Sequence, residues 1–548
     1  MNNKDYKNDR NNENEKRSLG WSIFSGANIF LVFLLAFLVG VIVESLVNIS
    51  ELVEVGLFVL LLISVIVYFF KHTSLKVLMT IALLVGFILG IIRVEGEIDK
   101  SSGWVSGRYK GIGTVVKFPE AKNDYQRIYI KIEGKKLDEK NNGRFVKKSE
   151  TVLLFVSLGI NYDYGRKYNI ECTLKTPENK YQKFNYIRFL ASKKVYQVCS
   201  GAKIESIVGA EEFSSRNIIN DDVIKVKNKN YLDKLFYKIT IIKIYLLRSV
   251  YNFRSILENK INQLFPMPES AYLAGLLLGG DNRLPENISE NFRRTGTTHT
   301  VAVSGYNITI LATVFMWIGI GIGLWRKQAF WFVTGCIILF IIMIGAPSSA
   351  VRAGVMGVIM LYALQSGRLA SSVRIIILTA VIMVFTSPFI LLYDVGFQLS
   401  FLATLGIILI YGPLAEKIKI ENDFLGIKSI VLVTLSAQLG VLGLLIYTFN
   451  SISLISLLAN VIILPALPLI MLGGAIAVGS SFLINSLGLI FSLPTWMMLH
   501  LEIGSINQLA KIPWAIIEFN KVNIWWSLGY YIALSIVLIV IRNRQKEV

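Results

Sequence analysis

Runs of eighteen or more apolar residues recur from Ile29 to Ile541, and one polar stretch, residues 93–240, interrupts them. In hydrocarbon there is no water to satisfy backbone N–H and C=O groups, so segments of this length cross a bilayer as helices that close their own hydrogen bonds. The sequence therefore predicts a polytopic α-helical membrane protein with one soluble domain. Composition agrees, with 53% of the 548 residues hydrophobic and 17% charged, which excludes a single soluble enzyme.

Residues 1–27 are rich in Asn and charge and are expected to be a disordered tail. Residues 28–92 hold three spans, Ile29–Val47, Leu52–Phe70 and Leu75–Ile92. Glu44, Glu51 and Glu54 follow the first, and Lys71, His72 and Lys76 follow the second. The positive-inside bias then makes the tail cytoplasmic and puts residues 93–240 outside. Spans resume at Thr300–Trp325, Phe330–Gly345, Ser349–Ser366, Val373–Leu391, Val395–Tyr411, Ile430–Thr448, Ile452–Leu472, Gly473–Leu493 and Ile524–Ile541, for about 12 spans in all, while Pro494–Pro513 is too mixed to assign. Arg326-Lys327, Arg368 with Arg374, Lys417 with Lys419, and Arg542 with Arg544 all fall on loops this arrangement makes cytoplasmic, with both termini inside.

The extracytoplasmic domain, residues 93–210, is expected to be β. Thr151–Val156 is β-branched and aromatic, and Ile128, Ile130 and Ile132 alternate with Tyr129, Lys131 and Glu133. Tyr168–Leu174 and Val195–Val198 look like further strands and Tyr186–Lys193 a short helix, which suits an OB-like five-stranded barrel or another small β-barrel. Cys172 and Cys199 both fall here, and an oxidising exterior favours a disulfide between them. Between Val94 and Thr240, 28 Lys and Arg face 18 Asp and Glu, so the segment is basic and suits an anionic partner. Tyr109, Tyr125, Tyr129, Tyr164, Tyr168 and Tyr181 interleave with those cations, as on a stacking platform for single strands or equally on a solvated face with aromatics in the core.

Residues 211–267 are expected to be a linker followed by an amphipathic helix. Leu235, Ile239, Ile242, Leu246, Val250, Phe253, Leu257, Ile261 and Leu264 recur at spacings of three and four, with Lys and Arg opposite, so the helix lies flat on the membrane or packs on the barrel. Counting removes other chemistries. Three His residues, at 72, 299 and 500, cannot build a multi-His metal centre, and Gly134-Lys135 is followed by Lys136 rather than Ser or Thr, so there is no P-loop. Neither a metal nor a cofactor is expected.

Residues 268–548 open with two short helices, one from Pro268-Glu269 to Gly279-Gly280 and one from Pro285-Glu286 to Gly296, with Arg293 and Arg294 in the last turn of the second. The stretch ESAYLAGLLLGGDNRLPENISENFRRTGTTHTVAVSGYNITIL at 269–311 resembles the competence core of the ComEC family. GAPSSAVRAGVMG at 345–357, YDVGFQLSFLATLGI at 393–407 and AQLGVLGLLIYTFNSISLISLLANVIILP at 437–465 follow in the same order, and KFNYIRFLASKKVYQV at 183–198 is similar to the family's N-terminal domain. Two positions depart: Asn307 stands where the family commonly has a second His, and Gly443 where it often has Pro. The metallo-β-lactamase-like domain that ends many members is not expected here, since three scattered His cannot supply its motif.

The resemblance implies a membrane channel that passes single-stranded DNA inward during natural transformation, and no enzyme. It also implies a cytoplasmic helicase or motor, a separate nuclease and a DNA receptor as partners, beside membrane lipids. Arg293, Arg294, His299, Ser304, Asn307, Arg352, Asp394 and Gln398 are the expected residues of the channel mouth. Ionisable groups inside a membrane cost roughly 2.5–3.5 kcal/mol each at a helix centre, so Arg352 and Asp394 are expected to pair. Structural ion pairs at helix ends are the plainer alternative for His299, Arg352 and Asp394. Gln398, Gln438 and Asn460 fit interhelical hydrogen bonds as well as an aqueous path. A transporter of lipid-linked or other anionic molecules is the second functional expectation. An intramembrane hydrolase using His299 and Ser304 is the third, although a five-residue spacing turns the two about 140° apart on a helix.

Overall fold

The computed structural model describes residues 26–47, 49–70, 75–101, 107–121, 125–133, 150–157, 162–179, 184–206, 231–279, 284–301, 303–367, 371–418 and 426–547. Tyr181 and the 1–27 tail lie almost wholly outside these. The chain divides into two compact units. One comprises residues 1–103, 188–193 and 370–395, and the other residues 104–187, 194–369 and 396–548.

In the first unit, the helices Gly26–Val47 and Leu75–Ser101 touch backbone to backbone. A Cβ at Gly90 would stand 2.9 Å from the amide nitrogen of Val41, so only glycine permits this approach. The helix Ser372–Thr386 ends on Arg93, which donates from Nε to the Phe385 carbonyl at 2.7 Å and from Nη2 to the Thr386 carbonyl at 3.1 Å. Glu97 holds the same guanidinium from its own helix at 3.0 Å. Within this unit Ser387 Oγ donates to the Ser192 carbonyl at 2.7 Å, and Arg188 lies over the Phe389 ring at 4.8 Å.

The second unit contains the barrel. Its strands are β1 (Gly107–Val115), β2 (Glu120–Ala121), β3 (Tyr125–Glu133), β4 (Glu150–Ser157), β5 (Lys167–Lys175) and β6 (Gln197–Ser206). They run in the order β1-β5-β6-β4-β3, and β1 pairs with β3 to close the ring, leaving the two-residue β2 as an appendage to β3. All pairings are antiparallel except β4 with β6, which gives the strand order of an OB-like barrel. The expected alternation in β3 holds, since Ile128, Ile130 and Ile132 point into the core with Val115, Val152, Leu154 and Ile170.

That core also takes tyrosines. Tyr109 and Tyr168 are buried in it, Tyr129 is buried on the opposite face of β3 beneath Lys117, and Tyr164 packs on Tyr251 with ring centroids 5.1 Å apart, so these four interleaved tyrosines are structural rather than a stacking surface. The hydrophobic worth of a buried ring exceeds what it offers to solvent, and a small closed barrel needs large side chains to fill it. Tyr125 and Tyr164 stay half-exposed, and of the two Tyr164 is taken up by Tyr251.

Cys172 and Cys199 form a disulfide between β5 and β6, with Cα atoms 5.8 Å apart. A register shift between Glu171 and Thr173 leaves Cys172 out of the ladder, next to the Leu174–Cys199 pair. Closing a loop of 27 residues restricts the unfolded chain by about 3.5 kcal/mol on the chain-entropy model. Replacing both cysteines with Ala should therefore lower barrel stability by roughly that amount. Limited proteolysis of the full chain should register the change as earlier cleavage within 107–206, and an unchanged pattern would refute it.

The amphipathic helix runs Tyr231–Leu264. It packs on the barrel through Tyr251, which meets Phe118 at 5.6 Å, and it leaves Ile239, Ile242, Tyr245, Leu246, Phe253 and Ile256 exposed. The packing against the barrel is thus realised, and a second apolar face is left outward. Arg254 ties this helix down, lying 4.6 Å over the Phe118 ring while donating to the Met343 carbonyl at 3.0 Å and the Gly279 carbonyl at 2.9 Å.

Among the described residues nine helices are long and apolar enough to cross a membrane, or ten if the bent pair Ser456–Ile463 and Leu467–Ser481 is one span. Two further apolar helices, Leu52–Tyr68 and Ser372–Thr386, are shorter. Ten of the twelve expected segments each fall on one of these helices, and the other two, Ile452–Leu472 and Gly473–Leu493, are redistributed. Pro465 breaks the Ile452–Leu472 segment, and residues 485–510 form one helix that carries Pro494 inside it and absorbs most of the unassigned Pro494–Pro513. Val395–Gly406 continues through a π-turn, Ile407–Tyr411, into Gly412–Ile418. The chain is a multi-pass membrane protein with a small barrel domain.

Candidate functional site

Helix Gly305–Gly321 starts after an extended Ser304 (φ −98°, ψ 171°). The Ser304 hydroxyl donates to Asn307 Oδ1 at 3.0 Å, and the fully buried Asn307 donates from Nδ2 to the Leu276 carbonyl at 3.2 Å. Leu276 lies in the last turn of helix Glu269–Leu278, whose carbonyls have no partner inside the helix. Ser349, near the start of helix Ser348–Gln365, donates to the Val303 carbonyl at 3.0 Å. Two short polar contacts therefore pin the chain just ahead of helix 305–321.

One turn on from Ser349, Arg352 reaches helix Val395–Gly406. Its Nε donates to Ser400 Oγ at 2.6 Å and its Nη1 to Thr404 Oγ1 at 2.7 Å, with Met356 Sδ at 3.6 Å from Nη1. Ser400 and Thr404 are four residues apart and so share one helix face, and Thr404 in turn donates to the Ser400 carbonyl at 2.9 Å. That helix is pressed against Ile427–Phe449 where Gly406 and Gly440 meet, since a Cβ on Gly406 would stand 2.9 Å from the Gly440 Cα. The remaining nitrogen of Arg352, Nη2, lies against the backbone of Gly305, 2.9 Å from where a Cβ would be.

The expected Arg352–Asp394 pair is replaced by these hydroxyls. Asp394 follows the short helix Ile390–Tyr393 in the first unit, whereas every hydrogen bond of Arg352 stays within the second. Arg352 makes no ion pair among the described residues. The guanidinium and the positive end of helix 305–321 then present like charge to one spot, which is costly unless an anion or water answers it.

The other expected residues sit apart from this cluster. Arg293 is neutralised, bidentate to Glu290 at 2.8 Å from both Nε and Nη2, with Glu518 at 3.4 Å, and the guanidinium holds the Glu290 carboxyl below the usual carboxylate range. Arg294 is half-buried, with its Nε unpartnered. His299 is exposed on the short helix Thr298–Val301, and Ser304 directs its hydroxyl to Asn307 rather than to an imidazole. Gln398 is half-buried in the first turn of helix 395–406. Gln438 is interhelical, donating to Ser456 Oγ at 2.8 Å, while the buried Asn460 has an unpartnered Oδ1. The glycines divide: Gly354 packs against Ile341, and Gly357 faces open space.

Sequence reasoning missed Ser349, Ser400 and Thr404. Their signal was present, since Ser400 and Thr404 sit at i, i+4 inside YDVGFQLSFLATLGI and Ser349 inside GAPSSAVRAGVMG. Hydroxyls in apolar helices were too common to single out, and only the packing shows which ones meet a charge. Removing one acceptor of a charged donor costs about 1.5–3 kcal/mol. Ser400→Ala and Thr404→Val should each lower thermal stability of the detergent-purified protein by an amount in that range, with Gly305→Ala lowering it as well through direct collision with Nη2.

Residues 276–544 match the family model described as competence protein. A curated relative, ComE operon protein 3 of Bacillus subtilis (strain 168), is 28% identical over 249 residues, which is 45% of this chain and 31% of that protein. The match thus spans about a third of the relative's length. No solved structure matches the chain. The matched region runs from the last turn of helix 269–278 through the final span and contains every member of the Arg352 cluster, and this C-terminal half of the chain belongs to the competence protein family, the ComEC family that its ordered motifs resemble.

Proposed function

We propose that the chain acts in DNA uptake as a channel for single-stranded DNA across the cytoplasmic membrane, with the barrel outside and Arg352 as a phosphate-binding step in the path. The observation that carries this is the Arg352 guanidinium, held by two neutral hydroxyls instead of a carboxylate and set beside a helix N-terminus. A strand entering a bundle must exchange phosphate hydration for protein donors that bind without stalling it. One cation without a neutralising carboxylate meets that need better than the Arg293–Glu290 pair, whose charge is already balanced.

The barrel supports the same reading on its β3–β4 surface. Tyr125 and Phe155 meet edge-on at 5.5 Å, Phe155 is 38% exposed, and Arg127 lies 6.0 Å from the Tyr125 ring centre. Aromatic rings beside a guanidinium are the arrangement on which bases stack with little sequence preference. The disulfide supports an extracytoplasmic setting, because such bonds persist in oxidising compartments. In this proposal the chain performs no catalytic step. A cytoplasmic motor or helicase supplies the pull, and a separate nuclease and receptor deliver the strand.

The test is flux in proteoliposomes of the full chain, comparing single-stranded DNA with a labelled anionic lipid. Arg352→Ala should abolish DNA flux while the protein remains inserted, and movement of lipid rather than DNA would replace this function with the lipid-linked alternative. Tyr125→Ala should weaken single-strand binding by about 1–3 kcal/mol. Arg127→Ala should reduce the slope of log affinity against log salt by about 0.7, the share of one phosphate. Salt-independent binding would make the barrel a structural cap.

A further inference from the structure

A carboxyl group inside a membrane protein has to face water, meet a cation or hold a proton, because the isolated ion is too costly to bury. Glu502, on the helix Asn485–Ala510, is 4% exposed. Its Oε2 accepts the Tyr272 hydroxyl at 3.0 Å, and its Oε1 is buried without a hydrogen-bond partner. Tyr272 is itself fully buried and fixed edge-on against Phe292 at 5.2 Å, which aims its hydroxyl at Glu502.

The same two helices carry a second contact that opens outward. His500 Nδ1 lies 2.7 Å from Glu269 Oε1, with the Glu269 side chain 5% exposed and that of His500 64% exposed. Glu269 stands one helical turn before Tyr272, and His500 two residues before Glu502. Trp496 stacks on the imidazole at 5.3 Å and holds it in place.

Other charges around helix 485–510 are accounted for. The helices Ser456–Ile463 and Leu467–Ser481 carry no titratable side chain. Helix Tyr231–Leu264 brings Lys260 to Asn485 at 3.0 Å, at the opposite end from Glu502. Helix Glu286–Arg294 carries Glu286, Glu290, Arg293 and Arg294, and meets 485–510 through the neutral pair Asn291–Asn507 at 2.9 Å. Among the described residues no cation pairs with Glu502.

We propose that Glu502 is a proton-binding site, kept as the neutral carboxylic acid with Tyr272 as its donor, and that the His500–Glu269 pair exchanges its proton with solvent. Loading takes one proton from water onto Nε2 of the imidazole and passes the Nδ1 proton to Glu269 and on to Glu502, so Glu269 ends as it began and His500 ends as the Nε2–H tautomer, which its solvent-exposed ring resets by proton exchange with water before the next transfer. The net change is one carboxylate converted to one carboxylic acid. Unloading would put a charge at the Tyr272 contact and loosen helix 269–278, whose Leu276 carbonyl receives Asn307.

The site is independent of the DNA reading, and its test does not use transport. Infrared difference titration of the full chain in lipid nanodiscs, from neutral to alkaline pH, should show a carboxylic C=O band that disappears as pH rises and shifts in heavy water. Glu502→Gln should lose that band, Tyr272→Phe should move it to higher frequency, and Glu269→Gln should retain it. If Glu502→Gln fails to fold, Glu502→Asp decides, since it should keep a displaced band. His500→Gln should preserve the band but slow its response to a pH jump by about tenfold or more, as expected when a proton-transfer group is removed. A band that survives in folded Glu502→Gln, a band left unmoved by Glu502→Asp, or no band in the parent chain overturns the proton site, and an unslowed response in His500→Gln overturns the exchange route.

Discussion

Helix ends leave carbonyls that something must satisfy, and in this protein arginine does part of that work. Arg93 donates to the last carbonyls of helix Ser372–Thr386. Arg254 donates to the ends of two helices at once, at Gly279 and Met343. In both cases a cation meets the negative end of a helix dipole, and the charge is partly answered by the structure that holds it. Arg352 breaks the pattern. It approaches the start of helix Gly305–Gly321, where the dipole has the same sign as the side chain, and its acceptors are hydroxyls. That difference separates an arginine that builds the fold from one left with charge to offer.

Close packing makes the arrangement possible. The Gly406–Gly440 approach brings helix Val395–Gly406 tight against Ile427–Phe449, and it lies two residues beyond Thr404 on the former. The π-turn that follows at Ile407–Tyr411 begins directly after that contact, in keeping with the frequent placement of such turns at functional segments. In the barrel the same economy runs the other way. Tyr109 and Tyr168, each next to a lysine in sequence, turn inward to fill a small closed core, and the usable aromatic surface shrinks to Tyr125 and Phe155 beside Arg127.

The two buried polar centres of the second unit also differ in kind. Around Arg352 the side chains are neutral donors and acceptors that hold one permanent charge in place. Around Glu502 the partners can gain or lose a proton, and the carboxyl keeps an oxygen unanswered. Helix Glu269–Leu278 meets Glu502 through Tyr272 and, through the Leu276 carbonyl, meets Asn307 on the helix whose Gly305 lies against Arg352.

Much of this was legible in the residues alone. Apolar length demands helices because backbone groups cannot go unsatisfied in lipid, and that requirement is local, so ten of the twelve segments could be read without knowing what they touch. Strand alternation at Ile128, Ile130 and Ile132 and the Cys172–Cys199 pairing were readable for the same reason: period and compartment act on short stretches. The partners of charge were not. Arg352 and Asp394 stand at similar depth in a span model, but which side chain a guanidinium meets depends on how helices far apart in sequence rotate and pack. Ser400, Thr404 and Gly305 became its neighbours only through that packing. Likewise Glu502, inside a segment too mixed to assign, gained meaning only when folding brought Tyr272 to one of its oxygens and nothing to the other.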